Sequence, residues 1–233
     1  MNIPVVRQSP PNPYAARENR RALDALGVTC VNVLGPAGSG KTALLEAILP
    51  RLRRELEVGV VEAGLGSTGD AQRLAALGAP VVQVLPDGAA QLEPHQVQRG
   101  MAELPLRRLE LLMVENLGSP VAPPWGNLGE HLRIVVLSIA AGDQVTAKHP
   151  DLVQDASLIL LNKYDLLPHV RYNLDGAVHA LRRLSPGAEV ICTDTRNRVG
   201  IDRVAGWLLG YVRAQAMRQT RRGRAPETVG APG

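Results

Sequence analysis

The run Gly35-Pro36-Ala37-Gly38-Ser39-Gly40-Lys41-Thr42 has the residue types and spacing to hold a polyphosphate. It lies between an apolar run ending at Leu34 and a helical pattern with apolar Leu44, Leu45, Ile48 and Leu49, the strand-loop-helix setting that G-x-x-x-x-G-K-[ST] requires. The glycines let backbone N–H groups curl around phosphate oxygens without Cβ obstruction, and the helix N-terminus adds its dipole. Lys41 supplies a point charge toward the β- and γ-phosphates, and Thr42 a hydroxyl to Mg²⁺. The phosphate-binding set is therefore Gly35, Gly38, Ser39, Gly40, Lys41, Thr42 and Ala43. A further acid, Glu115, ends the apolar run that starts at Leu109, where phosphate-loop proteins place a carboxylate that reaches Mg²⁺ directly or through water. Lys41, Thr42 and Glu115 are the catalytic candidates, with Thr42 and Glu115 as the Mg²⁺ ligands.

A second pattern, Asn162-Lys163-Tyr164-Asp165, follows the apolar run Leu158 to Leu161 and reads N-K-x-D. The Asp165 carboxylate offers two acceptor oxygens that suit the N1–H and exocyclic amine of guanine, and adenine presents no such pair of donors. Asn162 is expected at the other edge of the base, with the Lys163 stem along the ring. The expected cofactors are GTP and Mg²⁺; a kinase or ATPase reading is disfavoured by Asn162 to Asp165.

These loops need a scaffold, and the apolar runs supply one. Val28–Leu34, Val58–Glu62, Pro80–Leu85, Leu109–Glu115, Ile134–Ile139, Leu158–Leu161 and Val190–Cys192 read as strands, mostly continuous runs of the kind covered on both faces. Helical patterns at Asn12–Leu26, from the phosphate loop to about Glu55, and at Asp70–Leu77, Glu93–Glu103, Asp175–Leu184 and Asp202–Gln215 separate them. The fold class expected is α/β, a P-loop NTPase with a mostly parallel sheet covered by helices on both faces. Residues 1–27 read as an N-terminal segment with an amphipathic helix, 28–215 as the nucleotide-binding domain, and 216–233 as a disordered basic tail of Arg, Gly and Pro.

Composition narrows the partners. The 233 residues carry 26 basic and 22 acidic side chains, and the stretch after Val212, with Arg213, Arg218, Arg221, Arg222 and Arg224 against Glu227, accounts for the whole net charge of +4. A neutral body with 3% aromatic residues and no Phe argues against nucleic acid as partner. No run of about 18 apolar residues predicts a membrane span, and the polar, proline-rich start does not read as a signal sequence, so a cytoplasmic protein is expected. Cys30 and Cys192 read as buried thiols. Only Lys41, Lys148 and Lys163 are lysines, and two of them lie in the motifs above, which draws attention to Lys148 as a contact to nucleotide or to a partner subunit; a solvated lysine is the alternative.

The order of motifs resembles the HypB family of hydrogenase nickel-incorporation GTPases, part of the SIMIBI class. The resemblance runs from about Asn12 to Tyr211 and rests on Asn19-Arg20, the phosphate loop, Asp70-Ala71 and Gln83. Val114-Glu115-Asn116-Leu117-Gly118 is similar to the family's E-N-V-G, Asn127-Leu128-Gly129-Glu130 to its D-L-G-E, and Lys148-His149-Pro150 to its K-Y-P. Leu160 to Pro168 is similar to its L-L-N-K-x-D-L-L-P. The resemblance implies a GTPase that dimerises with GTP bound, through the loop Pro86–Gln91 and the segment after Glu115 with Pro120, Pro123 and Pro124. It also implies metallochaperone and metalloenzyme-precursor partners.

Two departures from the family pattern bear on chemistry. The Cys-His pair and second Cys of the family's interface metal site are Ala90, Gln91 and Ala122 here, so no transition-metal site is expected there. His95 reads as an isolated surface imidazole. The family's Gly-Asp after the second strand is Ala63-Gly64, and its following Thr is Ser67, which predicts slow turnover; Glu62 is either a substitute carboxylate or only the end of its strand.

Overall fold

The computed structural model describes residues 3–6, 12–64, 66–86, 91–120, 126–144 and 150–223. Within them lie strands β1 (Val5–Val6), β2 (Thr29–Leu34), β3 (Val58–Ala63), β4 (Val81–Val84), β5 (Leu111–Glu115), β6 (Leu132–Ser138), β7 (Leu158–Asn162) and β8 (Glu189–Cys192). The helices are α1 (Ala15–Leu26), α2 (Lys41–Leu52), α3 (Gly69–Ala76), α4 (Pro94–Ala102), α5 (Pro150–Val153), α6 (Leu174–Leu184) and α7 (Ile201–Gly223). The strands form one sheet in the order β1-β4-β3-β5-β2-β6-β7-β8. Every pairing is parallel.

Period-two alternation explains why both faces are covered. Val31, Val33, Val58, Val60, Leu111 and Met113 face a core with α2, α3 and α7. Their neighbours Cys30, Val61, Leu112 and Val114 face α1 and α4. Val135, Leu137, Ile159 and Leu161 complete that second face against α5 and α6. The parallel sheet and flanking helices expected from the sequence are thus observed.

Three boundaries differ from expectation. Asn12 stands ahead of α1, because its Oδ1 accepts from the N–H of Tyr14 at 2.9 Å and its carbonyl from Ala15 at 3.2 Å, making a turn. β1 has two residues, too few for any periodicity, and it pairs at the edge through Val5 with Gln83 and Val6 with Val84. α7 runs past residue 215 to Gly223. The expected tail boundary is therefore displaced: no Gly or Pro interrupts Ala214 to Arg222, and these are good helix formers without an apolar stripe.

Two motifs of the resemblance prove to be scaffold. On the face of the sheet covered by α1 and α4, Asn19 Nδ2 donates to the carbonyls of Leu128 at 2.8 Å and Pro94 at 2.9 Å. Arg20 Nε donates to the carbonyl of Gly129 at 2.9 Å. Glu130 pairs with Arg133 at 3.0 Å, both nearly closed off from solvent. Gly129 has φ of 95°, and a Cβ there would stand 2.6 Å from the carbonyl oxygen of Ala16. Gly129→Ala is expected to lower unfolding stability by about 1–3 kcal/mol, the cost of a strained left-handed residue, while nucleotide affinity is retained; urea denaturation and nucleotide titration check the two halves.

Candidate functional site

β2 delivers the phosphate loop and α2 takes over at Lys41, so the loop lies at the C-terminal ends of the strands. Lys41 Nζ donates back to the carbonyls of Gly35 at 3.0 Å and Pro36 at 3.4 Å. Burial pulls its pKa down, and the nearby Glu115 carboxylate opposes that. Gly40 takes φ of 98°, and a Cβ there would overlap the Asn162 amide. That amide donates to the carbonyl of Ser39 at 2.9 Å, tying the base-reading loop to the phosphate loop.

Carboxylates gather next to the loop. Thr42 Oγ1 donates to Glu115 Oε1 at 2.6 Å, and Asp70 Oδ2 lies 3.4 Å from the same hydroxyl. Glu115, at the end of β5, is in register with Glu62, one residue before the end of β3. Burial is the main cause that pushes both acids up to about 7; the Thr42 hydrogen bond lowers Glu115, Gln83 lowers Glu62, and neighbouring carboxylates raise both. Glu115 Oε2 and Glu62 Oε2 have no hydrogen-bond partner among the described residues. Among those residues no group of three or more His, Cys, Asp or Glu forms a self-contained metal site. Mg²⁺ needs none, since it keeps water and phosphate ligands and takes one or two protein oxygens. The hydroxyl of Thr42 and the orphaned oxygen of Glu115 are hard donors of that kind and fit it.

Asp70 is the residue that sequence reasoning missed. It reads as a helix-opening acid, and only the fold of the turn ahead of α3 brings it to Thr42; Arg73 holds its other oxygen at 2.7 Å. At Gly64, where the resemblance expects Asp, the Gln83 amide fills the space a side chain would occupy and donates to the carbonyl of Ser67 at 2.6 Å.

On the far side of the loop, Asn162 closes β7 and Lys163 follows with φ of 60° and ψ of 42°, a left-handed conformation. Asp165 is exposed at the start of a 3-10 turn. The sequence places Asn162 at the edge of the base; here its Nδ2 serves Ser39 and its Oδ1 accepts from Thr193 Oγ1 at 3.2 Å. Lys41, Thr42, Glu62, Asp70, Glu115 and Lys163 line one cleft of about 950 Å³, at the upper end of ligand pockets of about 300–1,000 Å³.

Other sequence candidates divide. His95 is buried rather than on the surface, because α4 turns it inward at its first turn, where its Nδ1 lies 3.3 Å from Glu93. Gln91 is buried. Ala90, Ala122, Pro123, Pro124 and Lys148 lie outside the described residues. Cys30 and Cys192 are free thiols, and burial pushes both up, which removes thiolate chemistry at neutral pH.

Residues 29–192, which span both motifs and the whole cleft, match the CobW/HypB/UreG nucleotide-binding domain. The chain belongs to that family. HypB-type proteins are its relatives within the family. The hydrogenase maturation factor HypB of Azotobacter vinelandii is 35% identical over 195 residues, 84% of this chain and 64% of that protein. The chain thus spans just under two thirds of that relative's length. Among solved structures, HypB of Archaeoglobus fulgidus matches with a TM-score of 0.79 and 29% identity, over 85% of this chain and 97% of the other. HypB from Helicobacter pylori in complex with nickel matches with a TM-score of 0.80 and 25% identity, over 87% and 95%. The family resemblance read from the motifs is borne out.

The raised acids fix a pH dependence. Folded Glu62 and Glu115 hold protons that the unfolded chain has released above about 4.5, so their contribution to stability is full below that pH and lost as pH rises through about 7. Thermal midpoints of the Mg²⁺-free protein are expected to fall across this window, and Glu115→Gln to flatten the fall.

Proposed function

We propose that this chain binds GTP with Mg²⁺, hydrolyses it slowly, and supports nickel insertion during hydrogenase maturation. The observation that supports the reading is the link between the two motifs: Asn162 bonds the Ser39 carbonyl of the phosphate loop, and Lys163 lines the same cleft as Lys41 and Thr42. Likeness to HypB proteins, one of them solved with nickel, supports the biological setting.

In this reading the loop N–H groups and Lys41 hold the β- and γ-phosphates, and Asp165 accepts from the donor edge of guanine. Mg²⁺ would be held by Thr42 and Glu115, where it neutralises charge on the phosphates. Asp70 stands close enough to orient water beside Thr42. Gly64 offers no carboxylate for an attacking water, which favours slow turnover and, as a second reading, a GTP-binding scaffold that does not hydrolyse. Dimerisation with GTP, through the loop that ends at Gln91 and the segment after Glu115, belongs to the same proposal, as does a cytoplasmic setting. Among the described residues no helix is long and apolar enough to cross a membrane.

Nickel is the cargo in this scheme and not a resident ion. Ala90, Gln91 and Ala122 supply no thiolate or imidazole, so a partner protein holds the metal while GTP controls docking.

The test is calorimetric titration of GTP and ATP with Mg²⁺ present. GTP is expected to bind more tightly, and Asp165→Asn to weaken GTP by about 2–5 kcal/mol with little change for ATP. Equal affinity of the unaltered chain for the two nucleotides refutes the assignment. Nickel and zinc titrations with and without GTP are expected to show no stoichiometric micromolar site.

A further inference from the structure

Of the three acids that line the cleft, Glu115 and Asp70 have tasks in the reading above and Glu62 has none. Glu62 is 3% exposed, and its Oε2 has no hydrogen-bond partner among the described residues. Alternation along β3 sends Glu62 to the same face as Val58 and Val60, and alternation along β5 sends Glu115 there with Leu111 and Met113. On that face stand the first turns of α2 and α3, with Thr42 and Asp70. Burying an acid oxygen with no donor costs folding energy, so Oε2 calls for a partner from outside the chain.

Gln83 sets which end of Glu62 is free. It is the neighbour of Glu62 in register on β4 and its hydrogen-bond partner, while its Nε2 also donates to the carbonyl of Ser67 at 2.6 Å. One carboxylate oxygen is thereby occupied from the β4 side and the other is left for the cleft. The same amide fills the space beside Gly64, where a Cβ would overlap its Nε2. A carboxylate is thus shut out at position 64 and held at position 62, on the same face of the strand and about 6–7 Å deeper. From there it meets a cation held by Thr42 and Glu115 through a water and not by direct ligation. Mg²⁺ suits that geometry, because it keeps several of its waters and outer acceptors fix them.

We propose that Glu62 is a positioning residue for the Mg²⁺ of the nucleotide: its free oxygen accepts a hydrogen bond from a metal-bound water and replaces the carboxylate that Gly64 does not supply. Gln83 aims that oxygen. The proposal rests on the reading of GTP with Mg²⁺ above. Without a cation, Glu62 faces Glu115 and Asp70 as like charges, so the empty cleft is better served by an uncharged side chain at this position.

The experiment titrates Mg²⁺ into the full chain saturated with a non-hydrolysable GTP analogue, for the unaltered protein, Glu62→Gln and Glu46→Gln, and measures affinity for the same analogue in excess EDTA. Glu62→Gln keeps the shape, but with Gln83 donating to its oxygen it turns an amide donor toward the cleft. Mg²⁺ is expected to bind it about tenfold more weakly, while analogue affinity in EDTA is unchanged. Glu46→Gln removes the same charge from a carboxylate that also acts on Glu115 but is paired with Arg73, and Mg²⁺ affinity is expected to stay within about twofold. Unchanged Mg²⁺ affinity in Glu62→Gln, or an equal loss in both variants, overturns the proposal. Should Glu62→Gln not fold, Glu62→Leu, which removes the buried acid outright, carries the comparison. It is expected to keep or raise the thermal midpoint without nucleotide and to lose Mg²⁺ affinity; a lowered midpoint with Mg²⁺ affinity retained shows a merely structural acid and overturns the proposal. An unaltered chain that does not bind the analogue overturns the GTP reading itself.

Discussion

A carboxylate nearly closed off from water has to be balanced by a cation, a proton or donors, and at Glu115 that requirement organises the working end of the sheet. One oxygen takes the Thr42 hydroxyl, the Lys41 ammonium lies close enough to oppose the rise in its pKa, and the second oxygen has no hydrogen-bond partner among the described residues. Glu62 in the neighbouring register and Asp70 across the cleft add charge of the same sign. A fold built for stability alone would place apolar side chains here, since a buried acid without a partner costs more than it returns. In the function proposed above the missing partner arrives with the nucleotide, and the first turn of α2 brings Thr42 and Lys41 to the same point.

What could be read directly from the sequence was whatever is contiguous. The phosphate loop and Asn162 to Asp165 declare themselves because their chemistry needs neighbouring residues, and the apolar runs declare a covered parallel sheet because both faces of each strand are buried. Asp70 escaped because its role depends on how a glycine-rich turn folds back on Thr42. Thr193 escaped because it meets Asn162, 31 residues away, only through the pairing of β7 with β8. His95 was misplaced because a polar residue near a helix start carries no burial signal of its own, and β1 was missed because two residues have no period.

The departures from the family pattern also become physical. Gly64 is a filled position, since the Gln83 amide reaches over it to the carbonyl of Ser67, and any side chain there would have to displace that amide. Asn19-Arg20 and Asn127 to Glu130, by contrast, serve as scaffold, lashing α1 to the turn ahead of β6 and to the start of α4.

The bond between Asn162 and Ser39 joins residues 123 positions apart, and it sets an order on biosynthesis. A growing chain makes the phosphate loop early, but β2 pairs with β5 and β6, both of which follow it in sequence, and not with β3, the next strand to be made. The Asn162–Ser39 bond can therefore form only after β7 has followed β6 onto the sheet. Until then the emerging chain has the elements proposed to grip phosphate without those proposed to choose the base, so under that reading discrimination among nucleotides comes late in its making.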